Sequence, residues 1–91
     1  MAKPIHLARR FDKTWNRLTE AQQERVTEII VALPDLLKHP HRHSGYGLRQ
    51  IRGRDYYEVR IDLRWRLIFR VSDDEIVVMD VLNHDQVRRL G

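Results

Sequence analysis

Residues 56–71 read YYEVRIDLRWRLIFRV, and their alternation decides the fold. Taken as a strand, a tight turn and a returning strand, the stretch has a period of two. Tyr57, Val59 and Ile61 point one way, and Tyr56, Glu58, Arg60 and Asp62 point the other. On the return, Trp65, Leu67, Phe69 and Val71 share one face, while Arg66 and Arg70 flank Ile68 on the opposite one. A sheet in a chain this small has one face on a core and one in water. The wet face then carries arginines beside a carboxylate, which packing alone does not call for. That face is the candidate site.

Working outward, Asp62-Leu63-Arg64 is the turn between the two central strands, and Ser72-Asp73-Asp74 leads into a last strand over residues 75–82. In that strand Ile76 and Val78 on one side and Val77, Met79 and Val81 on the other make both faces apolar, the pattern of an interior strand. Asn83 or Asp85 is placed to cap a terminal helix running through Arg89. Before the central strands, residues 48–51 form a short strand and residues 52–55 a turn. Residues 39–47, HPHRHSGYG, read as a loop. Further back, Val26, Ile29, Ile30, Leu33 and Leu37 make a helical stripe. Thr19 and Gln22 open that helix as a capping box, and Pro34 is expected to break it. Phe11, Trp15 and Leu18 mark a shorter helix, and residues 4–8 a short first strand. The expected fold is α+β: a short strand, a helical hairpin, an antiparallel meander of about four strands with the helices on one sheet face, and a short C-terminal helix.

Ninety-one residues make one domain over residues 1–91, large enough for a single core. With no cysteine there is no disulfide framework and no thiolate chemistry. No apolar run approaches the roughly 20 residues that span a bilayer, so no membrane partner is expected. The first residues lack the apolar segment of a signal peptide, and a cytoplasmic protein is the simplest reading. The formal charge is +4 and the pI about 10.0, with only three lysines, Lys3, Lys13 and Lys38. Arginine's planar fork suits bidentate phosphate contacts, so the excess points to nucleic acid or an acidic protein. A solvated basic surface is the plainer alternative.

Several short motifs, in order, carry a resemblance: Leu48-Arg49-Gln50-Ile51-Arg52-Gly53, Tyr57-Glu58-Val59-Arg60-Ile61, Trp65-Arg66-Leu67-Ile68-Phe69, and a closing Asn83-His84-Asp85. Together with the helical hairpin before them, they make the chain resemble the RelE/ParE superfamily of toxins from bacterial type II toxin–antitoxin pairs, on its RelE-like branch. The resemblance implies a cognate antitoxin as partner, in a toxin–antitoxin hetero-oligomer. RelE-like members are endoribonucleases that cut messenger RNA, many of them only when it is displayed in the ribosomal A site. ParE-like members share the fold but poison DNA gyrase without nuclease chemistry. A third outcome is a relative that only binds an antitoxin.

Metal-free RNA cleavage needs a base for the 2′-hydroxyl proton, cations for the crowded phosphorane and an acid for the leaving 5′-oxygen. The resemblance puts Arg60 and Arg66 where ribonuclease members place catalytic or phosphate-binding cations; the plain reading is cross-strand pairing with Glu58 or Asp62. His84 matches the closing histidine, and its intrinsic pKa suits acid or base work near neutrality. Its plain reading is a helix cap. Glu58 is a candidate base, or the group that orients Arg60; a simple salt bridge is as good an account. Arg49, Arg52, Arg54 and Arg64 border the face as candidate contacts to RNA backbone, and Arg88 extends them or merely suits the helix C-terminus. No cofactor and no metal are expected. His39, His41 and His43 alternate in an extended loop without a carboxylate cluster, so a solvated loop is favoured, with His43 the one that approaches the site. Trp15 and Trp65 fit the core better than a stacking platform. Two departures from the family stand out. No lysine follows Lys38, and Val87 and Leu90 occupy positions where many ribonuclease members carry an aromatic base-stacker.

Overall fold

The computed structural model describes residues 3–51 and 55–90. Arg52 and Arg54, with the turn expected around them, lie outside the described residues. The elements run β1 (Ile5–Leu7), α1 (Arg9–Trp15), α2 (Glu20–Lys38), a 3-10 segment (Pro40–Tyr46), β2 (Arg49–Gln50), β3 (Tyr56–Arg60), β4 (Trp65–Val71), β5 (Ile76–Asn83) and α3 (His84–Leu90). One mixed sheet has the order β1-β5-β4-β3-β2. Strands β2 to β5 form the expected antiparallel meander, and β1 lies parallel to β5 at the edge, with Ile5 opposite Ile76. The α+β architecture expected from the alternation is the one observed.

The period-two reading holds through β3 and β4. Val59, Leu67 and Phe69 are fully buried against Phe11 of α1 and Val26, Ile29, Leu33 and Leu36 of α2. Helix α1 is anchored where the Ala8 N–H donates to the Val78 carbonyl at 2.9 Å. Helix α2 opens on the capping box, the Gln22 N–H donating to Thr19 Oγ1 and the Thr19 N–H to Gln22 Oε1.

Four details differ from the sequence expectation. Pro34 does not break α2, which continues to Lys38. An interior proline forfeits one backbone hydrogen bond and costs about 3 kcal/mol. Fully buried Leu33 and Leu36, at about 1.5–3 kcal/mol each, outweigh that and hold the turn in register. Leu36, absent from the expected stripe, is buried, while Leu37 is only partly so. Residues 40–46 form a 3-10 segment, kinked at His43 and closed by Gly47 in the left-handed region (φ 62°). Finally, β5 is irregular: Phe69 pairs with Val78 but Ile68 with Asp80, so Met79 is the extra residue. The slip turns Val81 into the main core beside Ile76 and Val78, away from Met79.

Helix α3 packs on the opposite sheet face from α1 and α2. There Val87 meets Ile51 and Ile68 in a second, smaller cluster flanked by Tyr56, Met79, Leu82 and Leu90. The face expected to be wet is therefore half covered, and its uncovered part carries the arginines.

Candidate functional site

The β3–β4 turn is built by Asp62. Its Oδ1 accepts from the Arg64 and Trp65 N–H groups, both at 2.9 Å, and its Oδ2 accepts from Gln22 Nε2 at 3.2 Å. Partial burial pushes this carboxyl up, but those hydrogen bonds and the nearby Arg66 charge outweigh burial and hold it below its ordinary value. Arg66 is tied to the same turn, its Nη1 donating to the Asp62 carbonyl at 2.7 Å and the Trp65 carbonyl at 3.1 Å.

Arg60 and Arg66 are direct cross-strand partners. The Ile61 N–H donates to the Trp65 carbonyl at 3.0 Å. The next pair in, Arg60 with Arg66, is thus the non-hydrogen-bonded kind, in which side chains approach most closely. Two like charges so placed disfavour the fold. Among the described residues neither guanidinium has an ion pair: Asp62 is engaged by the turn, and Glu58 pairs with Arg49. Among the described residues, neither Glu58 nor Asp62 forms an ion pair with these arginines, although the Asp62 carboxylate is near enough to feel the Arg66 charge.

The Arg60 side chain lies along the backbone of Gly47; a Cβ there would stand 3.8 Å from its Cβ, Nε and Cζ. Arg25 supports the strand from α2, its Nη2 donating to the Arg60 carbonyl at 3.4 Å while its guanidinium sits 4.4 Å over the Tyr46 ring. This support, between residues 35 positions apart, was not legible in the sequence.

Glu58 occupies the next row of the face, opposite Arg49 and Ile68. Its side chain is 11% exposed, and Arg49 Nε stands 3.8 Å from Oε1 while the Arg49 side chain remains 76% exposed. This geometry makes Glu58 the anchor of Arg49 and does not place it on Arg60. His84 is exposed as the first residue of α3, and its N–H donates to the Arg64 carbonyl at 3.2 Å. The cap of α3 is Asn83, through reciprocal 2.9 Å bonds with Gln86, so neither Asp85 nor the His84 side chain serves as cap. Arg66 faces Leu82 on β5, which sets His84 two residues beyond the arginine row, beside Arg64. Arg88 follows His84 by four residues on the same side of α3 and is exposed.

Strand register and the His84–Arg64 backbone bond thus place Arg60, Arg64, Arg66 and His84 at one end of the sheet, with Arg49 and Glu58 a row away and Arg88 one turn further along α3. The structure does not bring His43 to them. His43 Nε2 lies 2.6 Å from Asp35 Oδ2, and its ring stacks on Tyr46 at 5.6 Å. That hydrogen bond, aided by the charges of His39, His43 and Arg42, keeps the Asp35 carboxyl low against partial desolvation. His39 and His41 meet only edge to face, 6.1 Å apart. Among the described residues no three His, Cys, Asp or Glu side chains converge to hold a metal. Trp15 and Trp65 pack against the core. Among the described residues no helix is long and apolar enough to cross a membrane.

Solved structures share this architecture. A chain of the Escherichia coli DinJ–YafQ toxin–antitoxin complex superposes with a TM-score of 0.73 at 12% identity, over 94% of this chain and 97% of that one. A chain of the Methanococcus jannaschii RelB–RelE antitoxin–toxin complex gives 0.68 at 19% identity, over 93% and 96%. The YoeB dimer of Staphylococcus aureus gives 0.62 at 17% identity, over 92% and 99%. At these identities the likeness is one of fold. No curated protein is significantly similar in sequence. The family model of the ParE toxin of the type II toxin–antitoxin system parDE, by contrast, matches residues 5–88. With nearly its whole length matched by that model, and with a RelE-like fold around it, the chain belongs to the ParE toxin family of type II toxin–antitoxin systems.

Proposed function

We propose that this toxin is a metal-independent endoribonuclease that cuts messenger RNA and so inhibits translation. The observation that supports it is the Arg60–Arg66 pair, two guanidinium groups directly opposed, without an ion pair among the described residues, beside an exposed histidine. A phosphate between them removes the repulsion and satisfies both forks. In the reaction a base takes the 2′-hydroxyl proton, and O2′ attacks phosphorus. The P–O5′ bond then breaks to leave a 2′,3′-cyclic phosphate, and an acid protonates the departing oxygen. Arg60 and Arg66 bear the charge that builds on the phosphorane. His84 is the acid or base, and Glu58 the other candidate base, although its pairing with Arg49 suits a positioning role better. Arg49, Arg64 and Arg88 hold the RNA backbone around the cut. Arg52 and Arg54, outside the described residues, complete the same set. The A site of the ribosome is the setting in which many RelE-like enzymes meet their messenger. A cognate antitoxin that masks the basic face, in a hetero-oligomer, completes the proposal.

A second reading is favoured by the ParE family model and by Val87 and Leu90 in place of an aromatic base-stacker. It is a non-enzymatic inhibitor of DNA gyrase. Induction of the chain in bacteria beside Arg60→Ala and His84→Ala variants, both at exposed positions, separates the two. New messenger 5′-ends that vanish in the variants support the nuclease. Growth arrest with intact messages and accumulating DNA breaks overturns it in favour of gyrase. An inert chain that still captures an antitoxin leaves only the binding role.

A further inference from the structure

A second basic surface lies outside the arginine pair. Arg10 and Lys13 on α1, and Arg17 in the turn that ends it, line one side of a cleft of about 470 Å³ between α1 and the start of α3. All three are exposed, and among the described residues none has an ion pair. At helical rise, Arg10 to Arg17 spans about 10 Å, so the cations form a line. The acid at the floor of the cleft, Asp80, is buried and committed. Its Oδ1 accepts from the Thr14 hydroxyl at 2.6 Å and from the Val81 N–H at 2.8 Å. The cleft is also lined by Trp65 and Asn83, cross-strand partners and chain neighbours of Arg66 and His84. A strand held in it therefore leads to the candidate site.

We infer that Arg10, Lys13 and Arg17 form a second phosphate-binding track, which grips the backbone of a single-stranded RNA on one side of the bond to be cut. The inference rests on the ribonuclease reading and deepens it by naming where the flanking strand runs. Exposed cations along the rim of a cleft recognise phosphates without reading bases, so the track supplies affinity and direction and leaves sequence preference untouched.

The test is binding of a fully 2′-O-methylated oligoribonucleotide, which cannot be cleaved, at several salt concentrations. The expected result for an Arg10→Gln, Lys13→Gln, Arg17→Gln variant is weaker binding and a log–log salt slope smaller in magnitude by about 2, from three lost contacts at about 0.7 each. An Arg10→Lys, Arg17→Lys variant keeps the charge and is expected to keep the slope, which separates lost contacts from lost folding. An unchanged slope in the glutamine variant, with RNA still bound, overturns the track and leaves the ribonuclease reading standing. An unchanged slope accompanied by loss of antitoxin capture assigns the line of cations to the antitoxin and also overturns it. Failure of the unaltered chain to bind the oligoribonucleotide overturns the track, while the ribonuclease reading stands or falls separately on the messenger 5′-ends.

Discussion

The two faces of the sheet are made by the same strands and are packed very differently. Toward α1 and α2, the side chains of Val59, Leu67, Phe69 and Val78 have no exposed surface at all. Toward α3, the same strands present Arg60, Arg66 and Arg70 beside buried Glu58 and Ile68. Helix α3 is seven residues long and covers that face only around Val87 and the partly buried Leu90. One face therefore supplies the stability, and the other spends some of it on holding charges close together. The candidate site lies where the packing is incomplete, which suits the proposed binding of a polyanion.

This contrast can be broken at several points, from the largest expected effect to the smallest. Phe69→Ala removes a fully buried ring stacked on Tyr57 at 5.7 Å and is expected to cost about 3–5 kcal/mol, read as a fall in the urea midpoint. Val87→Ala on the opposite face removes two methyl groups from the small cluster and is expected to cost only about 1.5 kcal/mol. Equal losses from the two substitutions would refute the asymmetry. Thr19→Ala deletes the capping box of α2 and is expected to cost about 1 kcal/mol by the same assay, with no effect on RNA binding.

Arg60→Gln is the most discriminating change, because stability and function are expected to move in opposite directions. Relief of the like-charge pair stabilises the fold by about 0.2–1 kcal/mol, while RNA affinity and message cleavage fall. A loss of stability instead would show that Arg60 is a structural residue. The smallest effect concerns pH. The Asp62 carboxyl is held below its ordinary value, so its contribution is complete above about pH 4 and is lost as pH falls through the lowered folded value. An Asp62→Asn variant is expected to be less stable near neutrality and to lose less on acidification. Parallel pH profiles of the two proteins in urea unfolding would refute that assignment.

Much of this was legible along the chain because it is local. The alternation of residues 56–71, the Thr19–Gln22 box and the Asp62 turn each depend on residues within a few positions of one another, and each appears where its pattern implies. The arginine pair follows from them, since a short turn fixes which residues face each other across β3 and β4. The details that escaped are those in which distant residues compete with a local preference. Pro34 argues for a helix end by itself, and burial of Leu33 and Leu36 overrides it. The histidine-rich stretch has no helical pattern, yet Asp35 and Tyr46 engage His43 and Gly47 closes the turn. The slip at Met79 depends on how β5 fits β4, which no single strand records.

The candidate site divides the same way. By itself the sequence determined the identity and facing of Arg60, Arg66 and Glu58, and the closing position of His84, because strand period and turn length act over a few residues. Only the tertiary structure decided that Glu58 belongs to Arg49, that among the described residues Arg60 and Arg66 have no ion pair, that Arg25 and Gly47 brace Arg60, and that α1 brings Arg10, Lys13 and Arg17 toward the same end. These are contacts between segments far apart in the chain. Their partners are chosen by how the elements pack around one core, and that choice is made by the whole fold at once.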